Sequence, residues 1–448
     1  MRRTRLAAGT AVLAAALGPA CTPDIATDVL PEVLEFDPGK SPPRVSEPTF
    51  ALINPATGKI DLSVAGIVTP ADCHNQTAMP EAQCEFNQYL QSLDGFPTVA
   101  LARTPVSAAY DPATATVPQN VAVIEVQAAG PKLDTEARVE FDAAGGYMQV
   151  KPKRTWPSAS FVWIGVRGYD NGLHTGGTNP LPFVASVPYN LLKRDDSLLC
   201  GQPAAAVAAT NCGYFALLAQ QMAPEAARAS LVQLETLRVA MIGLQGWTLL
   251  AGVGGMPKAE AAILWGFPVH KAPVIELSPP LLVPAVVGAD EIHLAVNGAL
   301  DPATVKAFRP AQETGSVYLL DTTELNKMNL RAGFPDMTAT LVGDSISIKA
   351  AAPLVLGDDY AIIVSTAAKS PAGTSLVASP VVALLKAHGV ISSGGQSQVS
   401  SLTAAEAAQL EESRLKLIPL LDNTTLGALT SLGRDNIAYV FGFKAGAQ

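Results

Sequence analysis

The chain is short of charge, of aromatic rings and of the side chains that most often do chemistry. Of its 448 residues, 15% are charged and 6% aromatic, with 5 histidines and 5 cysteines. So little charge beside 48% hydrophobic residues excludes a disordered or charge-extended polypeptide. The 30 basic residues stand against 39 acidic ones, and a net charge of -9 leaves no basic face for nucleic-acid phosphates. Beyond the N-terminus no clean apolar run reaches the ~18 residues of a membrane-spanning helix. H-E-x-x-H and C-x2-C spacings are both missing, which removes the common zinc-enzyme and zinc-knuckle signatures. The 36 glycines and 35 prolines break the chain too often for a long helical bundle. At ~100 to 200 residues per domain the length suits roughly two to four domains.

What is present begins with an address. Arg2, Arg3 and Arg5 precede an apolar run over 6–17, then Gly18, Pro19, Ala20 and Cys21. A charged start, an apolar middle and small residues before a cleavage point make 1–20 a secretion signal. Cys21 resembles the acylated cysteine of a bacterial lipoprotein signal, which implies an outer-membrane lipoprotein, on the periplasmic face or the cell surface, partnered with the membrane through its lipid. Cleavage that leaves Cys21 free is the alternative. Residues 21–50, rich in Pro, Asp and Glu and without periodicity, read as an extended tether. The other cysteines fall as close pairs, Cys73 with Cys84 and Cys200 with Cys212. In an oxidising compartment each pair closes a short loop as a disulfide worth about 3 kcal/mol. His74 lies beside Cys73, but with no second Cys/His cluster nearby zinc is not expected there.

The body repeats itself. Asp111-Pro112-Ala113-Thr114 returns as Asp301-Pro302-Ala303-Thr304, and Val184-Ala185-Ser186 with Leu191-Leu192-Lys193 returns as Val377-Ala378-Ser379 with Leu384-Leu385-Lys386. Leu234-Glu235 with Arg238 returns as Leu410-Glu411 with Arg414, and 262–267 returns as 438–443. Anchors in one order define a duplicated module, 51–270 and 271–448. Each copy opens with short strand-like runs: 98–109, 121–127, 137–141, 147–152 and 161–167 in the first, and 291–297, 316–321, 337–342, 345–350 and 359–366 in the second. Such strands without helices between them imply an antiparallel sandwich.

Each copy then turns helical. Residues 204–222 and 224–250 form a helical hairpin (about 203–250), with Leu231, Leu234, Leu237, Val239 and Met241 on one apolar face. In the second copy 402–421 opens on Thr403 and Glu406, a capping-box pair. Closing strands at 262–269 and 437–443 are expected to return to the sheets, because bare apolar edges aggregate. The fold class is α+β and mainly β: two tandem antiparallel β-sandwich modules, each with an α-helical hairpin inserted before the closing strand.

Gln91-Ser92-Leu93-Asp94-Gly95-Phe96-Pro97-Thr98, the Asp111-Pro112 turn, and 161–172 leading to Leu181-Pro182-Phe183-Val184-Ala185-Ser186 resemble the non-catalytic N-terminal region of extracellular bacterial virulence-factor lipases. They also resemble the bacterial Ig-like domains of surface-layer and adhesin-type proteins. The stretch 50–62, with Asn54-Pro55-Ala56-Thr57-Gly58, is similar to the segment that opens those lipase chains. The resemblance implies tandem Ig-like modules in a non-catalytic envelope lipoprotein. Its role would be adhesion, scaffolding or ligand presentation, with an envelope protein or surface glycan as partner. The lipases' G-x-S-x-G nucleophile elbow is missing, and Gly343-Asp344-Ser345-Ile346-Ser347 reads as a hairpin turn opening a strand. The alternative is a lipid- or ester-handling protein, or the binding subunit of an extracellular lipase, which a hydrophobic cleft between helices and sheet would favour.

No catalytic residue and no cofactor is expected. Asp170 and Asn171 are oxygen donors among glycines and are the metal candidates, for calcium; the competing reading is a hairpin in which Asn171-Gly172 supplies positive φ. His74, His174, His270, His293 and His388 read as surface or loop residues. Asp195-Asp196 and Asp358-Asp359 read as solvated turn acids, since neighbours on a strand face opposite ways. Trp163 and Trp265 lie in apolar strand runs and read as core, whereas Trp156 and Trp247 are uncommitted.

Overall fold

The computed structural model describes residues 31–446, apart from 39, 41, 42, 75, 76, 221, 277–290, 311–314, 328, 330, 331, 424–426, 428, 429 and 431. The expected secretion signal, Cys21 and residues 22–30 of the expected tether lie outside the described residues. The fold is mixed, with several mostly antiparallel sheets and fewer helices.

In the first half the elements run β1 (Glu32–Leu34), α1 (Glu81–Ser92), β2 (Ala102–Pro105), β3 (Val121–Gln127), β4 (Gly130–Asp134), β5 (Arg138–Asp142), β6 (Tyr147–Lys151) and β7 (Phe161–Arg167). They continue with β8 (Phe183–Ala185), α2 (Val187–Leu192), α3 (Gly213–Ala219), α4 (Pro224–Gly243), α5 (Gly246–Gly252) and β9 (Ala261–Pro268). The second half has β10 (Val274–Ile275), β11 (Ile292–Asn297), β12 (Val317–Asp321), α6 (Thr322–Asn326), β13 (Met337–Val342), β14 (Ser345–Ala350) and β15 (Asp359–Ser365). After these come α7 (Pro380–Leu385), β16 (Ser392–Ser393), β17 (Gln396–Ser397), α8 (Ala404–Leu421) and β18 (Ile437–Lys444).

Both halves pair their strands alike. The first has sheets ordered β2-β6-β5 and β4-β3-β7-β9; the second has β10-β11-β14-β13 and β12-β15-β18. The sequence pattern explains the two kinds of sheet. Strands β11 and β13 alternate buried and exposed residues, so one face meets solvent. Strands β7, β9, β12 and β15 are buried almost without interruption, because their sheets are covered on both faces. One face meets the partner sheet within a shared core, and the other meets the helices inserted before the closing strand. As expected, β9 returns to β7 and β18 to β15, both antiparallel.

The repeated sequence anchors clamp that helical layer. In α4, Glu235 and Arg238 form a bidentate pair, both contacts 2.8 Å, while Arg238 also donates to the Asp195 carbonyl and the Leu198 N–H donates to Glu235. In α8, Glu411 and Arg414 repeat the fork at 3.0 and 2.7 Å; Arg414 donates to the Ala387 and His388 carbonyls and the Ile391 N–H donates to Glu411. The linker after the short helix is thereby tied to the long one in both halves. Ser186 and Ser379 cap α2 and α7 in the same way.

Several expectations are corrected. The tether does not extend to residue 50: β1 pairs in parallel with β8 and Leu34 is fully buried, because its apolar side chain reaches the first core. The helix read over 224–250 is two, broken at Gln245, whose φ of 57° no continuing helix permits. The helix read over 204–222 shrinks to a 3-10 turn and α3. Val239 is 53% exposed and leaves the apolar face of α4. At 169–172 the positive φ falls on Tyr169, not on Asn171 or Gly172. Gly172 is required for another reason: a Cβ there would come within 2.3 Å of the Arg167 carbonyl oxygen. His270 lies in a loop, as one of its two readings had it, but at 1% exposed it is not a surface residue. Trp156 and Trp247 join Trp163 and Trp265 among the buried residues.

Both cysteine pairs are bonded, Cys73–Cys84 and Cys200–Cys212, with Cα atoms 5.5 and 5.4 Å apart. The first fastens the 71–74 loop to α1. That helix, unmarked in the sequence reading, docks on the second half: Ala82 lies in the second core, and the Tyr89 hydroxyl donates to the Ala378 carbonyl at 2.8 Å.

Removing one partner of the buried clamp strands a charge, so Arg414→Met is expected to lower unfolding free energy by about 3 kcal/mol. The double variant Glu411→Met/Arg414→Met should lose clearly less than the sum of its two singles. Urea unfolding of the four proteins measures both.

Candidate functional site

An apolar cleft of about 310 Å3 opens in the first half, where the leading segment, α4 and the edge strand β9 meet. Its size falls at the lower end of small-molecule sites, which occupy roughly 300 to 1,000 Å3. Phe36, Pro43 and Phe50 form one wall, Leu237 and Met241 of α4 form another, and Ile263 to Trp265 of β9 lie between them. Gln233, Leu237 and Met241 share a helix face because they are spaced by four. Val64 and Ile67, 56% and 40% exposed, flank the opening.

The polar groups at the cleft are mostly committed elsewhere. The Tyr189 hydroxyl donates to the Leu264 carbonyl and accepts from its N–H, and full burial pushes the phenol well up. Glu47 is paired with Arg103, Glu35 with Arg44, and both guanidiniums lie over the Tyr147 ring. The rim charges therefore neutralise one another, and attraction into the cleft comes from apolar area. The exception is Trp265, whose buried Nε1–H has no hydrogen-bond partner among the described residues. A larger depression in the second half, about 510 Å3 between α6, β15, α8 and β18, mixes Lys416, Lys444, Asp359 and Asn326 with apolar residues.

The residues singled out in the sequence are scattered. Asp170 and Asn171 sit in a one-turn 3-10 helix, Asp195 is bonded to Lys258, and Asp196 accepts from the Tyr214 hydroxyl. Gly343 adopts positive φ in the hairpin between β13 and β14. Among the described residues no group of three or more His, Cys, Asp or Glu converges as a metal cage, and no helix is long and apolar enough to cross a membrane. The cleft itself escaped sequence reading, because its walls lie some two hundred positions apart; the one local signal was the i, i+4, i+8 spacing on α4. The chain matches no protein-family model and no curated protein sequence.

Two buried lysines have the perturbed ionisation that often marks a functional site. Burial pushes Lys193 and Lys386 each down to about 8. Their amines donate to the first carbonyl of the closing strand, Lys193 to Ala261 at 2.9 Å and Lys386 to Ile437 at 2.8 Å. The same bond in both halves identifies a structural role. At and below pH 8 the folded state bears the cost of the buried ammonium groups. Between about 8 and the ordinary lysine value of 10.5 the unfolded chain holds more protons, so stability rises with pH. Urea midpoints at about pH 7.5 and 9.5 should differ in that direction, and the Lys193→Met/Lys386→Met variant should lose the difference.

Proposed function

We propose that the protein is an exported, membrane-anchored envelope lipoprotein of two immunoglobulin-like sandwiches that binds without catalysing. We propose further that the first unit takes an apolar, acyl-chain-like ligand in its cleft. The immunoglobulin-like reading is supported by strand order. Taking β11, β12, β13, β14, β15 and β18 as strands B to G, with β10 as A, gives sheets A-B-E-D and C-F-G; the first unit gives B-E-D and C′-C-F-G. The helical layer then occupies the F–G connection, a position that carries a binding loop in antibody domains. Export is supported by the two disulfides, which belong to an oxidising compartment. Anchoring rests on Arg2, Arg3 and Arg5, the apolar run and Cys21.

The observation that carries the ligand reading is the cleft lining. It is dominated by Phe, Leu, Ile, Met, Pro and Val, and its one serine, Ser46, is buried and donates to the Thr104 hydroxyl. An acyl chain gains ~0.8 kcal/mol for each buried methylene, so a short chain suffices for useful affinity. This is the lipid-handling alternative in non-catalytic form.

A fluorescent fatty acid should bind the full exported chain saturably and be displaced by an unlabelled one. Leu237→Asp is expected to weaken binding by about tenfold or more, because it forfeits roughly 1.5 to 3 kcal/mol of apolar burial. Leu237→Trp should weaken it by filling the space. Unchanged affinity in both variants removes the cleft from the reading, and covalent labelling by a serine-directed probe overturns the non-catalytic part.

A further inference from the structure

Away from the cleft, four side chains from two distant parts of the sequence, 74–85 and 388, meet where α1 docks on the second half. Glu81 and Glu85, spaced by four, share one face of α1. The His74 Nδ1 bonds to Glu81, and the His388 Nδ1 bonds to Glu85 at 2.9 Å. The two imidazole rings stand 5.7 Å apart, centre to centre, with their planes at 68°. Their side chains are 67% and 51% exposed, and neither Nε2 is hydrogen-bonded to a described residue.

We propose that His74 and His388 bind one divalent transition-metal ion of the zinc class through their Nε2 atoms. A carboxylate on Nδ1 fixes the imidazole with its proton on that nitrogen and leaves the Nε2 lone pair outward, the tautomer a metal needs. Two imidazoles bound at about 2.1 Å with a tetrahedral angle place their ring centres roughly 5 Å apart, close to the spacing present. Water completes the coordination. Glu81 and Glu85 add negative charge behind the ligands without having to bind the ion.

The frame is already rigid. Glu85 accepts from the His388 N–H at 2.9 Å and the Gly389 N–H at 3.3 Å, so its carboxylate holds both ring and backbone. Gly389 permits this approach, since a Cβ there would stand 2.3 Å from the Ala82 nitrogen. On the other side the Cys73–Cys84 bond ties the residue before His74 to the same helix, and the His74 N–H donates to Asp72. The ion would therefore join the disulfide loop of the first half to the second half. His74 and His388 are 314 positions apart, so no spacing rule could pair them.

Isothermal titration of the untagged exported chain with zinc chloride is expected to show one saturable site per chain. His74→Ala and His388→Ala should each weaken it by about tenfold or more, Glu85→Gln by about ten- to a hundredfold through loss of imidazole orientation, and His293→Ala not at all. The spectrum of bound Cu2+ should report two nitrogen ligands and lose them in the double histidine variant. Melting curves without metal show whether each variant is folded. A lack of saturable binding by the folded wild-type chain, or undiminished binding by folded His74→Ala/His388→Ala, overturns the assignment.

Discussion

The structure depends on covering both faces of one sheet in each half. Strands β7, β9, β12 and β15 are apolar on both sides, so a sheet-on-sheet pair alone would leave one face bare. The helices inserted before β9 and β18 close that face, but their connecting loops carry buried or part-buried backbone carbonyls that need donors. A buried carbonyl without a donor costs ~1 to 3 kcal/mol. Arg238 and Arg414 meet those carbonyls while held by their own glutamates, and Lys193 and Lys386 meet the first carbonyl of the closing strand. A buried ion pair alone is weak ground for stability. Here its remaining donors satisfy backbone that apolar substitutes would leave unpaired.

That constraint explains what was legible in the sequence. Most strands of both halves appear as short apolar runs between turns, and several, including β3, β7, β13 and β14, fall where the runs place them. The capping box at Thr403 and Glu406 is present with both of its bonds. The repeat anchors Leu191-Leu192-Lys193 and Leu234-Glu235 with Arg238 stood out because the clamp permits few substitutes: a fork of donors and a single buried amine have no apolar equivalent. Local pattern could not show contacts made across the chain. Helix α1 has no core of its own, since Ala82 packs in the second half. The break at Gln245 is a backbone conformation that no periodicity announces, and the cleft and the histidine pair each join segments far apart in sequence.

Within that frame the two halves differ at their exposed tips. Position 195 in the first half corresponds to 388 in the second: both backbone carbonyls accept from the clamp arginine. Their side chains point to different chemistry, Asp195 reaching Lys258 and His388 reaching Glu85 of α1. A clamp that acts through backbone carbonyls leaves the side chain at that position free to vary, which is how a duplicated scaffold acquires distinct surfaces without losing its fold.

The leading segment supplies the asymmetry. Described residues between Phe36 and Ile67, among them Phe36, Pro43, Phe50 and Ile67, provide one wall of the cleft, and α1, a little further along, docks on α7 and the loop after it. In the second half the depression beside α8 is larger and more polar, and α6 lines it instead of a leading segment. One continuous stretch thus closes an apolar site on the first unit and fastens that unit to the second. The disulfide ties Cys73, in the loop that follows the cleft wall, to Cys84 of α1. The cystine therefore lies between the part of the segment that walls the cleft and the helix that docks on the second half.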